Sequence, residues 1–381
     1  MTDSQSAHFT DADIRAALAK VDDPEIGRPI TELGMVKSID IDGSSVAVTV
    51  YLTIAGCPMK STIVERCREA VSAVAGVEHV SVDTDVMSDE QRAELRAHLR
   101  GGVAEPENPF ARPDSRTRVY AVASGKGGVG KSSMTVNLAA ALAQRGLSVG
   151  ILDADIYGHS IPHMLGSDDR PHQVDDMIMP PQAHGIKMIS IAHFTEGNAP
   201  VVWRGPMLHR AISQFMTDVF WGDLDVLLLD LPPGTGDIAI SVAQLVPGGE
   251  LLIVTTPQAA AAEVAERAGS ISMQTRQKVA GVIENMAAMV LPDGTTMDVF
   301  GSGGGQIVAD RLSTLTGSSV PLLGSVPLDP ALRTGGDDGV PVVLADPDSP
   351  TAKAINGIAD HLARRQESLA GKPLGLNVTA K

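Results

Sequence analysis

The stretch Gly125-Lys126-Gly127-Gly128-Val129-Gly130-Lys131-Ser132 limits the possible folds of this chain more than any other. An apolar strand-like run, Val119 to Ala123, precedes it, and a helix-periodic run carrying Val136, Leu138, Ala139 and Leu142 follows. Glycines at a strand-to-helix turn let backbone N–H groups converge on anionic oxygens, and the helix N-terminus adds its positive dipole end. The spacing G-x-x-x-x-G-K-[ST] supplies a lysine for β- and γ-phosphates, Lys131, and a hydroxyl for Mg²⁺, Ser132. The alternative is a glycine-rich turn without function, and the agreement of motif with flanking pattern argues against it.

From Arg118 onward short apolar strands alternate with helical stretches. The strand candidates are Val119 to Ala123, Val149 to Leu152, Lys187 to Ile191, Val226 to Leu229, Leu251 to Thr255, Val279 to Ile283 and Leu322 to Val326. Near-continuous apolar strands between helices predict an α/β fold with a mostly parallel, doubly wound sheet covered on both faces. A small α+β unit precedes it. Thr10 is placed to cap a helix with Ile14, Leu18 and Val21 at helical spacing, ended by Asp23-Pro24-Glu25. Strands Val36 to Asp40 and Val46 to Leu52 meet at Asp42-Gly43, a hairpin pair. A helix over about Ser61 to Ala75 and a strand around Val80 and Val82 complete it. The predicted organisation is a small domain over 1–100, a Gly/Pro-rich exposed linker over 101–117, the large domain over 118–366 and a polar tail over 367–381.

Two further strands end in acids. Val226-Leu227-Leu228-Leu229-Asp230 has the form that holds Mg²⁺ directly or through water. Ile151-Leu152-Asp153-Ala154-Asp155 is placed to orient an attacking water or the metal's shell. A lone strand-end aspartate is as often a turn residue, but three beside a phosphate loop favour chemistry. Pro232-Pro233-Gly234-Thr235-Gly236-Asp237 suits a loop that moves when the γ-phosphate leaves.

The second lysine, Lys126, gives Lys-Gly-Gly-Val-Gly-Lys-Ser, which resembles the deviant Walker A loop of MinD/ParA-like P-loop ATPases. That resemblance implies a homodimer in which Lys126 reaches the partner's nucleotide, with Asp155 as the switch acid, Asp153 the acid before it, Asp230 the Walker B acid and Asn285 an adenine contact. Within this class the chain is similar to the Mrp/ApbC iron–sulfur cluster carriers, through Asp153-Ala154-Asp155-Ile156-Tyr157-Gly158, Trp203-Arg204-Gly205-Pro206, Glu284-Asn285-Met286 and Phe300-Gly301. The small domain resembles iron–sulfur assembly domains through Asp23-Pro24-Glu25 and Leu52-Thr53-Ile54-Ala55-Gly56-Cys57-Pro58. The implied function is slow, Mg²⁺-dependent ATP hydrolysis coupled to cluster delivery, with apo iron–sulfur proteins and assembly factors as partners. The expected nucleotide site comprises Gly125, Lys126, Gly127, Gly128, Val129, Gly130, Lys131, Ser132, Ser133 and Asn285. Catalysis is expected from Lys126, Lys131, Asp155 and Asp230, and Mg²⁺ ligation from Ser132, Asp153 and Asp230.

One departure matters. Many carriers of this family have C-x-x-C after Glu-Asn-Met, whereas Met289-Val290-Leu291-Pro292-Asp293-Gly294-Thr295-Thr296-Met297 has no cysteine. A thioether is a neutral, weak donor and does not replace thiolates on iron. Cys57 is the remaining candidate for a cluster ligand or reactive thiol. With Pro58 at the first helical position it would sit at a helix N-terminus, where the dipole favours thiolate by ~0.3–1 kcal/mol. A buried inert thiol is the competing reading. Cys67, on the apolar stripe of its helix, reads as core. His159 and His163 share helical spacing, but Pro162 between them weakens a metal site. Ile355, Ile358 and Leu362 form a stripe that suits packing on the sheet.

Composition narrows the partners. A net charge of −16 repels phosphate backbones and anionic lipid, so neither nucleic acid nor membrane is expected. Two cysteines in 381 residues and a polar N-terminal stretch suit a reducing, cytoplasmic setting. Two rivals to cluster carriage are a MinD/ParA-like positioning ATPase and an ATP-regulated adaptor that binds no cluster. The mixed segment Leu362-Ala363-Arg364-Arg365-Gln366-Glu367 is too short for the membrane-binding tail that the first would need.

Overall fold

The computed structural model describes residues 9–99, 107–155, 158, 160–194, 205–234, 237–258, 261–291 and 293–364. Ile156, Tyr157, His159, Trp203, Arg204, Thr235, Gly236, Pro292 and the tail from residue 365, all used in the sequence reading, lie outside them. The chain forms two compact units. The first is Met1–Arg112 with Arg170–Pro180 and Ser213–Asp223, and the second is the remainder.

In the first unit, Thr10 and Asp13 cap α1 (Asp11–Leu18) reciprocally, the Asp13 amide on Thr10 Oγ1 and the Thr10 amide on the Asp13 carboxylate. The helix ends at Leu18, before the Asp-Pro pair, yet Val21 is still buried. Strands β1 (Val36–Asp42) and β2 (Ser45–Leu52) pair antiparallel through a tight turn that needs Gly43 at φ 63°. Helix α2 (Lys60–Ser72) carries the chain across to β3 (His79–Val86), parallel to β2. Val46, Val48, Val50 and Leu52 alternate into the core against Ile63, Cys67 and Val71.

Three parts of this unit were not foreseen. Helix α3 (Asp89–Leu99) buries only Leu95, too narrow an apolar stripe to read from sequence. The strand pair His172–Val174 and Met177–Met179 sends Val174, Met177 and Met179 into the same core, and its turn residues Asp175 and Asp176 meet Arg92 and Arg96 at 3.3 and 2.7 Å. The sequence assigns these residues to the large domain; their strands are too short to betray a different neighbour. Finally, part of the expected linker is docked. Asn108 caps a short 3₁₀ turn, and the buried Phe110 ring stands edge-on to Trp221 at 6.2 Å.

The second unit contains all seven expected strands, with ends shifted by a residue at most except that β9 runs four residues further, as β4 (Arg118–Ala123), β5 (Val149–Asp153), β6 (Ile186–Ser190), β7 (Val226–Asp230), β8 (Glu250–Thr255), β9 (Val279–Ala287) and β10 (Leu322–Pro327). Their order is β10–β9–β8–β4–β7–β5–β6, all parallel, with Gln182–Ala183 antiparallel on the β6 edge. Helix α4 (Lys131–Ala143) follows the phosphate loop, and Met134, Val136, Leu138, Ala139, Ala140 and Leu142 bury it on nearly every side. Asn137 in its middle is satisfied, donating to the Ser133 carbonyl and accepting the Val343 amide.

The C-terminal stripe packs as expected. Helix α7 (Pro350–Ala363) buries Ile355, Ile358 and Leu362, and Gly324 on β10 makes room, since a Cβ there would lie 2.9 Å from Ile358 Cγ1. Ile358→Ala is expected to cost about 2–5 kcal/mol of stability by urea unfolding, against about 0.5 kcal/mol or less for the exposed Ile307→Ala.

Candidate functional site

Strand register brings the acids together. In the parallel sheet Asp230 lies beside Asp153, and Asp153 beside Ser190, at the carboxyl ends of β7, β5 and β6. Ligands of open α/β sheets bind at that edge. The phosphate loop leaves β4 at the same edge, next to β7.

The loop keeps its shape through glycine. Gly128 and Gly130 have φ of 76° and 79°, and a Cβ on Gly130 would fall 2.2 Å from Asn285 Nδ2. Around Gly128 nothing approaches a Cβ position within 4 Å, so the front of the loop is open to a large anion. Asn285, on β9, donates its Nδ2 to the Val129 carbonyl at 2.8 Å, while its buried Oδ1 has no hydrogen-bond partner. Its position at the loop's flank is the one that the sequence reading gives an adenine contact.

Lys131 opens α4 and is buried between acids, its Nζ 2.8 Å from Asp230 Oδ2 and 3.4 Å from Asp155 Oδ2. Ser132 Oγ donates to Asp230 Oδ2 at 2.6 Å and Thr135 Oγ1 to Asp230 Oδ1 at 2.8 Å. Asp153 is turned to other partners. Its Oδ2 accepts from Ser190 Oγ at 2.8 Å and its Oδ1 from the Asp155 amide at 3.2 Å. Burial, and then the charge of Asp230, push the Asp153 carboxyl up to about 7. The sequence reading puts Asp153 among the metal ligands. The geometry also makes it a support for Asp155, through the Asp155 amide on its Oδ1.

Three aspartates share a buried space with one ammonium, a surplus of negative charge that favours a divalent cation. Hydroxyl and carboxylate oxygens from Ser132 and Asp230 are the hard donors that Mg²⁺ takes. Among the described residues no three His, Cys, Asp or Glu side chains are arranged to hold a metal alone. Such an ion would fill its shell with phosphate oxygens and water, as Mg²⁺ does in phosphate sites. The residues present therefore fit an Mg²⁺–nucleotide.

The other half of the loop is held from α5 (Ala261–Thr275). Arg267 donates to the Gly125 carbonyl at 2.9 Å, and Val264 packs so tightly on Gly125 that a Cβ there would meet it at 2.8 Å. Lys126 Nζ bonds Gln258 Oε1 of the same chain. Ser133 is half-buried in the first turn of α4, its carbonyl taken by Asn137. Thr135, Ser190, Gln258 and Arg267 were missed in the sequence. Only Thr135 left a trace there, as a hydroxyl one turn after Lys131 on a mostly apolar helix.

Cys57 requires a correction. Helix α2 begins at Lys60 with Met59 as its cap, so Cys57 is not at the helix terminus. The thiol is buried, faces Glu25 Oε2 at 4.0 Å, and is pushed up to about 11 by burial, with the Glu25 and Asp23 charges, against the lowering pull of the Met59 and Lys60 amides. The expected dipole-stabilised thiolate is not formed. Cys67 is core as expected, its thiol also raised to about 11 by burial. In place of a C-x-x-C segment, Met289–Val290 pairs with Thr296–Met297 in a small antiparallel hairpin.

The comparisons with known proteins agree with this geometry. A sequence model described as "NUBPL iron-transfer P-loop NTPase" matches residues 115–363. This chain belongs to the NUBPL iron-transfer P-loop NTPase family. A model described as "iron-sulfur cluster assembly protein" matches residues 11–83 of the first unit. The chain is 68% identical to a Mycobacterium tuberculosis protein named iron–sulfur cluster carrier protein, over 97% of each chain. It is 42% identical to a Synechocystis protein of the same name, over 93% of this chain and 97% of that one. A solved nucleotide-binding protein of Archaeoglobus fulgidus, in complex with ADP, is 37% identical with a TM-score of 0.50, covering 58% of this chain and 86% of the other.

The Asp153 environment makes a pH prediction for the nucleotide-free P-loop NTPase. Folding raises this carboxyl from an ordinary 3.8 to about 7, so between those values the native state binds more protons than the unfolded state. Its contribution to stability is therefore largest below the lower value and is lost as pH rises through about 7. Asp153→Asn should gain stability relative to wild type on going from about pH 5 to about pH 8, read from urea midpoints.

Proposed function

We propose that this chain is a cytoplasmic, homodimeric ATPase that carries iron–sulfur clusters to apo-proteins and works with assembly factors. The observation that carries this reading is the open phosphate loop with Lys131 set between Asp230 and Asp155, in a chain of the iron-transfer P-loop family. ATP is assigned to Gly125–Ser133, with its adenine near Asn285. Lys131 moves from the aspartates to the β- and γ-phosphates as they arrive, and Ser132 and Asp230 hold Mg²⁺. Held there, Mg²⁺ would supply neutralisation of phosphate charge. Asp155, fixed by Asp153, orients the attacking water, and Lys126 reaches the nucleotide of the second copy. Hydrolysis is slow because the set is complete only in the dimer.

The cluster is cargo. Neither thiol of the single chain is ready for iron, since both are buried and protonated at neutral pH. The family role then requires Cys57 to be uncovered on loading, with thiols from outside completing the shell. That same burial favours a second reading, in which the first unit recruits apo-proteins, the ATPase regulates docking, and no cluster binds here. A MinD/ParA-like positioning role is the weaker alternative, because the iron–sulfur relatives span both units.

Lys131→Ala should weaken ATP binding roughly 10- to 100-fold, from the ~1.5–3 kcal/mol of a hydrogen bond to a charged group. Calorimetric titration with ATP and Mg²⁺ checks it, and unchanged affinity would remove the site assignment. Anaerobic reconstitution with iron and sulfide separates the two cargo readings. Cluster carriage predicts bound iron in wild type and Cys67→Ser and its loss in Cys57→Ser. No iron in any of the three proteins establishes the adaptor reading instead.

A further inference from the structure

The contact between Lys126 and Gln258 ties the loop's first lysine to its own chain. Three other contacts fix the backbone on either side. Ser124 Oγ donates to the Lys126 carbonyl at 3.0 Å, Arg267 holds the Gly125 carbonyl at 2.9 Å, and Val264 closes on Gly125. The main chain of residues 124–126 is therefore set by Ser124 and by α5, and the Lys126 side chain is the part with a choice. Its ammonium is half-buried, and Gln258 offers it a neutral amide oxygen. A neutral acceptor holds an ammonium well enough to place it and gives it up to a phosphate, whose negative charge makes the stronger bond.

We propose that Gln258 is a positioning residue for Lys126, an intrachain latch that keeps this lysine from a second copy of the chain until nucleotide is present on both. The inference rests on the reading of Lys126 as a contact to the partner's nucleotide. Each dimer must open two such latches, so the latch opposes association twice over. Its strength therefore sets the protein concentration at which ATP drives pairing, without entering either phosphate site.

The sign of the test is unusual: removing a bond should strengthen assembly. Sedimentation velocity of the full chain, with Mg²⁺ and a non-hydrolysable ATP analogue, reads dimerisation over a concentration series. Gln258→Ala, and Gln258→Asn with its shorter arm, should dimerise at a concentration roughly 100-fold or more below that of wild type, given two charged hydrogen bonds released per dimer. Gln258→Glu should need roughly tenfold more, because a carboxylate grips the ammonium harder. Affinity for the analogue at concentrations below dimerisation should stay within about twofold in all three. A loss of local structure would instead weaken dimerisation in every variant, and that outcome overturns the latch. So does dimerisation equal to wild type in all three while Lys126→Ala fails to dimerise, a result that leaves the reading of Lys126 standing. If Lys126→Ala itself dimerises like wild type, that reading fails and the latch with it.

Discussion

The second unit is organised around one ammonium group held among buried carboxylates. Lys131 lies 2.8 Å from Asp230 and 3.4 Å from Asp155, out of water, with Asp153 behind them. Taking such charges out of water costs several kcal/mol each, and the arrangement persists only because every partner is present. The strand register, the opening of α4 at Lys131 and the hydroxyls of Ser132 and Thr135 all serve that cluster. With more acid than base it remains short of positive charge. On the proposed function, an incoming nucleotide with its cation would offer Lys131 new anionic partners and Asp230 a metal, so that binding and rearrangement would be one event.

The loop is held from two directions. Asn285 on β9 supports it behind Gly130, and Arg267 and Val264 from α5 hold Gly125 in front. On the proposed function, nucleotide entry that disturbs either support would be felt along β9 or α5. Such rigid elements are the means by which a local charge change at a phosphate becomes a change of surface. Among the described residues of the first unit no lysine is buried between carboxylates, and the buried acid is Asp23. Its core is apolar, and its two thiols are part of that core. Whatever it does for iron depends on exposing what the fold now covers.

Much of this was legible in the sequence, for stated physical reasons. Parallel strands buried on both faces must be apolar throughout, so all seven main strands stood out, and the glycine spacing located the loop between β4 and α4. Asp230 and Asp155 were found because acids at strand ends beside a phosphate loop have few other uses. Their neighbours were invisible. Ser190, Gln258 and Arg267 act through register and side-chain reach, which no local pattern encodes. The sequence put Asp153 beside the metal, but not its hydrogen bonds to Ser190 and the Asp155 amide, which depend on strand register and side-chain reach. Cys57 was misread by one assumption, that Pro58 begins the helix and leaves the thiol exposed; with the start at Lys60 the thiol is buried, and burial outweighs the amides of Met59 and Lys60 that favour thiolate. The pair of strands at 172–179 escaped because three residues are too few to show a period.

The central claim is that ATP bound at Lys131 governs the handling of an iron–sulfur cluster. It is tested most directly by loading the protein anaerobically and following cluster transfer to an apo-acceptor by circular dichroism, with and without Mg²⁺ and ATP. Transfer by wild type should change rate with nucleotide, and Lys131→Ala should transfer at one rate under both conditions. Equal rates for wild type with and without ATP, from a protein confirmed to hold a cluster, would contradict the account.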